Sequence, residues 1–318
     1  MQLTIILNCF IVLFIVVFLY SNYSHDGDKN EYISVFAESQ KVVILTFDDD
    51  WKNHYTYVKP ILEKYGFKSS FYITPGCISY QNSSFCNNTA TPDSVMTWND
   101  VNSLQNAGHD IQSHGMSHKD LTALSDIELE YEIGQSKKDL FDHGINSTVF
   151  GNAFAAGENN STVIKAISKY YDMARAGYGS FAFLKCDECE NNSNYEPWSS
   201  SNRYSLAVNP HYGYDSVYEN NGSKILSEFI EGIHNQTTYN ENGEINAIPI
   251  LAYHNIDNID NNIDPNWVDS TTDLDLFDKE MKYLYDNNIK VLMMSDLGYN
   301  QSSNQIYIMN FNNNSITK

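Results

Sequence analysis

Three acids, Asp48, Asp49 and Asp50, follow the apolar run Val42–Phe47 (VVILTF) with no turn residue between them. A carboxylate is expensive to bury alone, so these groups belong where the chain leaves a core and meets a cation or a proton-transfer task. Neighbouring acids suit a division of labour in which one binds metal and the other acts as base. His114 and His118 stand four apart in His-Gly-Met-Ser-His. On a helix or in a tight loop that spacing brings both imidazoles to one ion. His254 directly follows the apolar AIPILAY run. Two neutral imidazoles and one carboxylate, with positions left for water, make a catalytic metal site. The plain alternatives are an acidic loop and a chance pair of histidines. Three predicted strand ends that each deliver Asp or His are harder to explain by packing.

The elements that would position these groups alternate along the chain. Val42–Phe47 reads as a strand buried on both faces, as in a parallel sheet. Tyr57–Tyr65 has Val58, Ile61, Leu62 and Tyr65 on one helical face, and Gly66 stops it. Lys68–Thr74 reads as a second strand, residues 75–96 as a surface loop, and Thr97 as the N-cap of a helix to Ala107. His109–Ser113 is a third strand. Ser125 and Glu128 form a capping box whose helix carries Leu129, Ile133, Ser136 and Leu140 on one face. Strand Ser147–Phe150, helix Asn160–Tyr171 and strand Tyr171–Ala176 follow. Residues 179–245, rich in Asn, Ser, Tyr and Gly, give no clear pattern. Ala247–Tyr253 is a strand, Phe277, Met281 and Leu284 line a helix, and Ile289–Met294 is a last strand. The alternation is that of a parallel α/β architecture, whose active sites lie at the carboxyl ends of the strands.

The net charge is −21, and 23 Tyr and 16 Phe supply ample core. So acidic a chain repels phosphate, which argues against nucleic acid and anionic membrane surfaces. Leu3–Tyr20 is almost wholly apolar and nearly long enough to span a bilayer, without the basic residues that precede a signal-peptide core. Residues 1–22 are therefore expected as an anchor or signal peptide, 23–40 as a polar linker, 41–300 as the domain and 301–318 as an Asn-rich tail. An exported domain, extracellular or at the cell surface and touching membrane only through that first segment, agrees with the recurrent glycosylation sequons, for example at Asn82, Asn146 and Asn221. It agrees also with Cys77, Cys86, Cys186 and Cys189, an even number suited to two disulfides. Cys186 and Cys189 could instead be a redox or zinc pair.

Thr46-Phe47-Asp48-Asp49, His114-x-x-x-His118 and Tyr253-His254, in that order and spacing, resemble the first, second and fifth motifs of the polysaccharide deacetylases (carbohydrate esterase family 4). The closing FDKEMKYLYDNNIKVLMMSDL resembles that family's last helix and strand, so the resemblance covers roughly residues 41–298. It implies a distorted, incomplete (β/α) barrel, here preceded by an N-terminal hydrophobic helix. It also implies hydrolysis of N-acetyl or O-acetyl groups on an N-acetylated polysaccharide or oligosaccharide, with one divalent metal ion, zinc first. Carried over by position, Asp49, His114 and His118 would hold the metal, with Asp50 the fallback ligand if the register shifts by one. Asp48 would be the base that deprotonates metal-activated water, His254 the acid that protonates the leaving amine, and the backbone N–H of Phe154 the oxyanion donor.

The third motif departs from the pattern. The family has Arg and Pro before the aromatic residue, whereas this chain reads Phe150-Gly151-Asn152-Ala153-Phe154. The missing Arg normally holds the catalytic Asp. Arg175 is a candidate to replace it, or to contact substrate, and an ordinary ion pair is the alternative. Trp198, in Glu196-Pro197-Trp198, is a candidate for stacking on a sugar ring, or simply packs. The fourth motif, Asp-Trp, is absent, and Gly115 stands where the family prefers Ser or Thr. Two other functions stay open: a carbohydrate-binding protein that kept the fold and lost turnover, and an amidohydrolase of the same superfamily acting on a small amide.

Overall fold

The computed structural model describes residues 40–80, 95–151, 161–185, 203–211, 222–241, 243–258, 270–303 and 305–309. All lie in the second of two compact units, Glu38–Lys318. The expected N-terminal hydrophobic segment lies outside them. No helix among the described residues is long and apolar enough to cross a membrane.

Seven parallel strands close into a barrel. They are β1 (Val42–Phe47), β2 (Ser70–Ile73), β3 (Asp110–Ser113), β4 (Val149–Gly151), β5 (Met173–Tyr178), β7 (Leu206–Pro210) and β9 (Ile250–Tyr253), and β9 pairs back onto β1. Between them lie β6 (Ala182–Phe183) and β8 (Ala247–Ile248), which form a short antiparallel pair. After them β10 (Asn255–Asp257) pairs with β11 (Thr271–Asp273), and β12 (Lys290–Leu292) adds to β1. The hairpin β13 (Leu297–Asn300) and β14 (Gln305–Ile308) ends the described chain. This is the incomplete (β/α) barrel that the resemblance implies.

β1 shows why its sequence is almost wholly apolar. Val43, Leu45 and Phe47 pack outward against helix residues such as Leu62, Leu104, Phe277 and Met281. Val42 and Ile44 belong to a second core with Val149, Leu206 and Ile250. With both faces buried, the strand carries no charged residue until it ends, and its one hydroxyl, Thr46, donates to the Leu251 carbonyl at 3.0 Å. Phe47 anchors that end, stacked on Phe71 and Tyr253 with ring centroids 5.0 and 5.4 Å away.

Four expectations need correcting. Residues 75–96 are not loop from the start: Pro75–Tyr80 is a helix opened by proline, which suits a first turn because it has no N–H to leave unbonded. It buries Ile78 and the disulfide-bonded Cys77. AIPILAY is two strands, because Pro249 cannot donate to a ladder and separates β8 from β9. The unpatterned 179–245 contains β6, β7 and a helix, Gly222–Asn235, that buries Phe229 and Ile233. Finally, order does not stop at 300, since β14 pairs with β13 and buries Ile306 completely.

Candidate active site

Asp48 continues the inward-facing series Val42, Ile44, Thr46, so its side chain arrives at the mouth of the barrel core. Its amide donates to the Tyr253 carbonyl at 2.9 Å, which ties the end of β1 to the residue before His254. The next two residues leave the strand with left-handed backbone, Asp49 at φ 74° and Asp50 at φ 57°. Aspartate tolerates that region better than most residues, and such strain gathers where a side chain must be aimed. The turn sends Asp49 toward β3 and Asp50 back to the end of β2. There the Asp50 carboxylate accepts twice from the Thr74 amide, at 2.9 and 3.1 Å. Burial pushes the Asp50 carboxyl well above the usual range, and the structure keeps it away from the other site groups as a loop brace.

His114 and His118 arrive on the loop after β3, a tight turn in which Gly115 (φ 87°) and His118 (φ 56°) are both left-handed. A side chain at 115 would strain this turn, and the Ser or Thr of the family pattern is absent. The loop brings the two rings to 4.8 Å between centroids. Asp49 Oδ1 lies 3.3 Å from His114 Nε2 and 3.4 Å from His118 Nε2. One ligand atom from each of Asp49, His114 and His118 falls within 4.8 Å of the others, the one such acid–imidazole group of three among the described residues.

The chemistry of these atoms fits a cation. His114 Nδ1 bonds to the Gly151 carbonyl, which can only accept, so the proton sits on Nδ1. In the neutral ring, Nε2 is then a lone pair facing a carboxylate oxygen, and this buried atom has no hydrogen bond. Burial alone would lower the His114 pKa, but Asp48 and Asp49 outweigh it and raise it, so the gap attracts positive charge. Burial likewise opposes ionisation of Asp49, and the surrounding histidines, His118 first, still hold its carboxyl far below the normal range. Burial outweighs the attraction of Asp49 and lowers the His118 pKa.

Two groups flank the triad. Asp48 Oδ2 lies 4.0 Å from His114 Nε2, while its Oδ1 receives the Arg175 guanidinium. Arg175 sits on β5 directly across the ladder from Gly151, in the stretch where the family pattern has its arginine. A Cβ at Gly151 would stand 2.5 Å from Tyr72 Cε1 and 2.7 Å from Arg175 Nε. The guanidinium also lies over the Tyr72 ring at 3.7 Å. Glycine on one strand thus leaves room for arginine from the next. Arg175 is only 4 % exposed, and its guanidinium is turned onto Asp48. Burial would raise the Asp48 carboxyl, but Arg175, then His114 and His254, outweigh it and keep the group ionised.

On the other side, His254 Nε2 lies 4.0 Å from Asp49 Oδ2, and its ring is partly exposed. His54 is fully buried in a π-helical turn, His54–Val58, and its Nε2 bonds to the His254 carbonyl at 2.7 Å. Burial lowers the His54 pKa to about 4, so it is a neutral donor there. Phe154 and Trp198 lie outside the described residues, as do Cys86, Cys186 and Cys189. The sequence reading also missed Glu132 and Glu280. Each is an acid on the apolar face of an amphipathic helix, beside Leu129 and Ile133 or Phe277 and Met281, which is the signal that finds them.

Residues 37–173 match the model of the family described as Polysaccharide deacetylase. A protein of Bacillus subtilis (strain 168) named "Putative polysaccharide deacetylase YxkH" is 27% identical over 131 residues, which are 41% of this chain and 42% of that protein. The chain thus spans less than half the length of that relative. Among solved structures, the Xyl-CE4 domain of a multidomain xylanase from the hindgut metagenome of Trinervitermes trinervoides is 16% identical, with TM-score 0.47, over 81% of this chain and 89% of that one. The deacetylase PplD of Streptococcus pyogenes is 24% identical, with TM-score 0.38, over 44% of this chain and 58% of that one. Across residues 37–173 the chain is similar to the polysaccharide deacetylases.

Proposed function

We propose that this polysaccharide deacetylase relative is an exported hydrolase that removes N-acetyl, or O-acetyl, groups from a sugar polymer. The observation that carries the reading is the Asp49–His114–His118 cluster, flanked by an Arg-held carboxylate and a partly exposed imidazole. A divalent metal, zinc first, held by those three residues would activate water and polarise the acetyl carbonyl. Asp48, kept ionised and fixed by Arg175, accepts the proton of the attacking water. His254 donates a proton to the departing amine nitrogen, which leaves poorly as an anion. Its partial exposure suits contact with a polymer, and the bond from His54 to its carbonyl fixes the backbone behind it. The Phe154 amide is the candidate donor to the developing oxyanion, and Trp198 a candidate stacking surface. The apolar 3–20 segment, the sequons and the cysteines support placement outside the cell or at its surface.

The competing idea of a relic that only binds carbohydrate rests on the missing third-motif arginine and the absent Asp-Trp motif. Arg175 on Asp48 weakens the first of these. The test is acetate release from a panel of N-acetylated oligosaccharides, O-acetylated xylan and small acetamides. Release from the oligosaccharides is expected to stop on chelation and return with divalent metal. Turnover that survives removal of every metal, or that is confined to small amides, would sink the proposal.

A further inference from the structure

Glu132 is a buried acid, 1 % exposed, with no salt-bridge partner among the described residues. An uncompensated carboxylate in such a place is costly unless hydrogen bonds satisfy it. Both of its oxygens are taken up by one residue. The Ser117 amide donates to Oε2 at 2.9 Å, and the Ser117 hydroxyl donates to Oε1. The Glu132 backbone carbonyl accepts from the Met116 amide at 2.9 Å. One residue therefore grips the His-Gly-Met-Ser-His loop at three points, all on the two residues between Gly115 and His118.

Those two residues lie between the loop's left-handed positions, Gly115 and His118. A left-handed histidine costs about 1–2 kcal/mol and persists only where its surroundings hold it. Glu132 sits in a π-helical turn, Tyr131–Gln135, inserted between helices Asp126–Glu130 and Ser136–Asp142. A π turn loosens the regular backbone ladder, and here a helix carbonyl meets an outside donor. One turn on, Ser136 Oγ lies 2.9 Å from Ser113 Oγ, which in turn accepts from the Gly115 amide at 3.3 Å. The same helix face thus braces the loop at both ends.

We infer that Glu132 is a positioning residue for the metal site, holding His118 in its left-handed conformation and so keeping both imidazoles aimed at the position of the ion. The inference rests on the proposed function only in requiring that the site take a divalent metal. The test is a cobalt titration of the full chain, with affinity from chelator competition and geometry from the visible absorption bands of Co2+. Wild type is compared with Glu132→Gln, Ser117→Ala and the exposed control Glu130→Gln. Glu132→Gln is expected to bind cobalt roughly 10- to 100-fold more weakly, the usual effect of losing an outer support, with altered bands. Ser117→Ala keeps the amide bond and is expected to lose roughly three- to tenfold, while Glu130→Gln matches wild type. A purely structural Glu132 would lower the melting temperature yet leave affinity and bands unchanged in the folded protein, which would overturn the inference alone. If Glu132→Gln does not fold, wild-type affinity and bands in Ser117→Ala overturn it. Absence of cobalt binding by wild type would remove this inference and the functional reading together.

Discussion

Two acid–histidine clusters meet near the end of β9, and they are built in opposite ways. In one, Glu280 is fully buried with each oxygen given its own partner, His211 Nε2 at 2.7 Å and the Tyr253 hydroxyl at 2.9 Å. Nothing in that arrangement asks for another ligand. In the other, Asp49 faces His114, His118 and His254 at 3.3, 3.4 and 4.0 Å, and His114 spends its single proton on the Gly151 carbonyl. The first is a finished hydrogen-bond network that joins helix Leu274–Asp286 to the barrel. The second presents donor atoms around a gap. Composition does not separate them; the direction of each proton does.

Removing a ligand should break the contrast most sharply. His118→Ala is expected to take metal content from about one ion per chain to none, measured by mass spectrometry. Acetate release should fall on the order of 10³-fold, the scale of losing Lewis-acid assistance. In chelator its unfolding midpoint should move less than that of a Glu280 variant, because the ligand side chain completes no network.

Arg175→Ala should come next, since it leaves Asp48 buried without its cation. A loss of about 3–5 kcal/mol in stability is expected from denaturant unfolding. Activity should drop roughly 100-fold as the base loses its anchor. The sign of the pH effect follows from the balance at Asp48. Burial raises its carboxyl and Arg175, then His114 and His254, lower it, so without the guanidinium the acid limb of kcat/KM should move to higher pH. The stability contributed by the depressed carboxyl is present above the unfolded value, about 3.9, and is lost as pH falls through the folded one. The gap between wild type and variant should therefore narrow in acid. An acid limb that stays in place would separate Arg175 from the base.

Glu280→Gln sharpens the comparison from the finished side. An amide cannot accept from both neighbours, so about 1–3 kcal/mol of stability should be lost, read as a lower melting temperature. Metal content should remain that of wild type. Loss of metal in this variant would mean that the two clusters are coupled through Tyr253 and His254.

The groups at Phe47-Asp48 and Tyr253-His254 were legible because each follows an apolar run that stops abruptly, and His114 and His118 because they stand four apart. The N-cap at Thr97 and the capping box at Ser125 were legible for a similar reason, since a cap is encoded within four residues. What stayed hidden depends on partners far along the chain. Arg175 could be suspected, but only the register of β4 against β5 brings it across from Gly151 and onto Asp48. Helix Gly222–Asn235 was obscured by its Asn- and Ser-rich surroundings, although Leu226, Phe229, Ile230 and Ile233 carry helical spacing. The π turns left no sequence signal beyond the buried polar residues they present.

The pairing of β1 also has a temporal side. Ile44 pairs with Ile250 and Val42 with Lys290, so the seam that completes the barrel joins the two ends of the domain. On a ribosome making roughly 5–20 residues per second, β1 emerges on the order of 10–40 s before its β9 partner exists. Through that interval this fully buried six-residue strand has an open edge, the feature that invites mispairing with other chains. The nascent segment most in need of a chaperone is thus the one that carries Asp48 and Asp49.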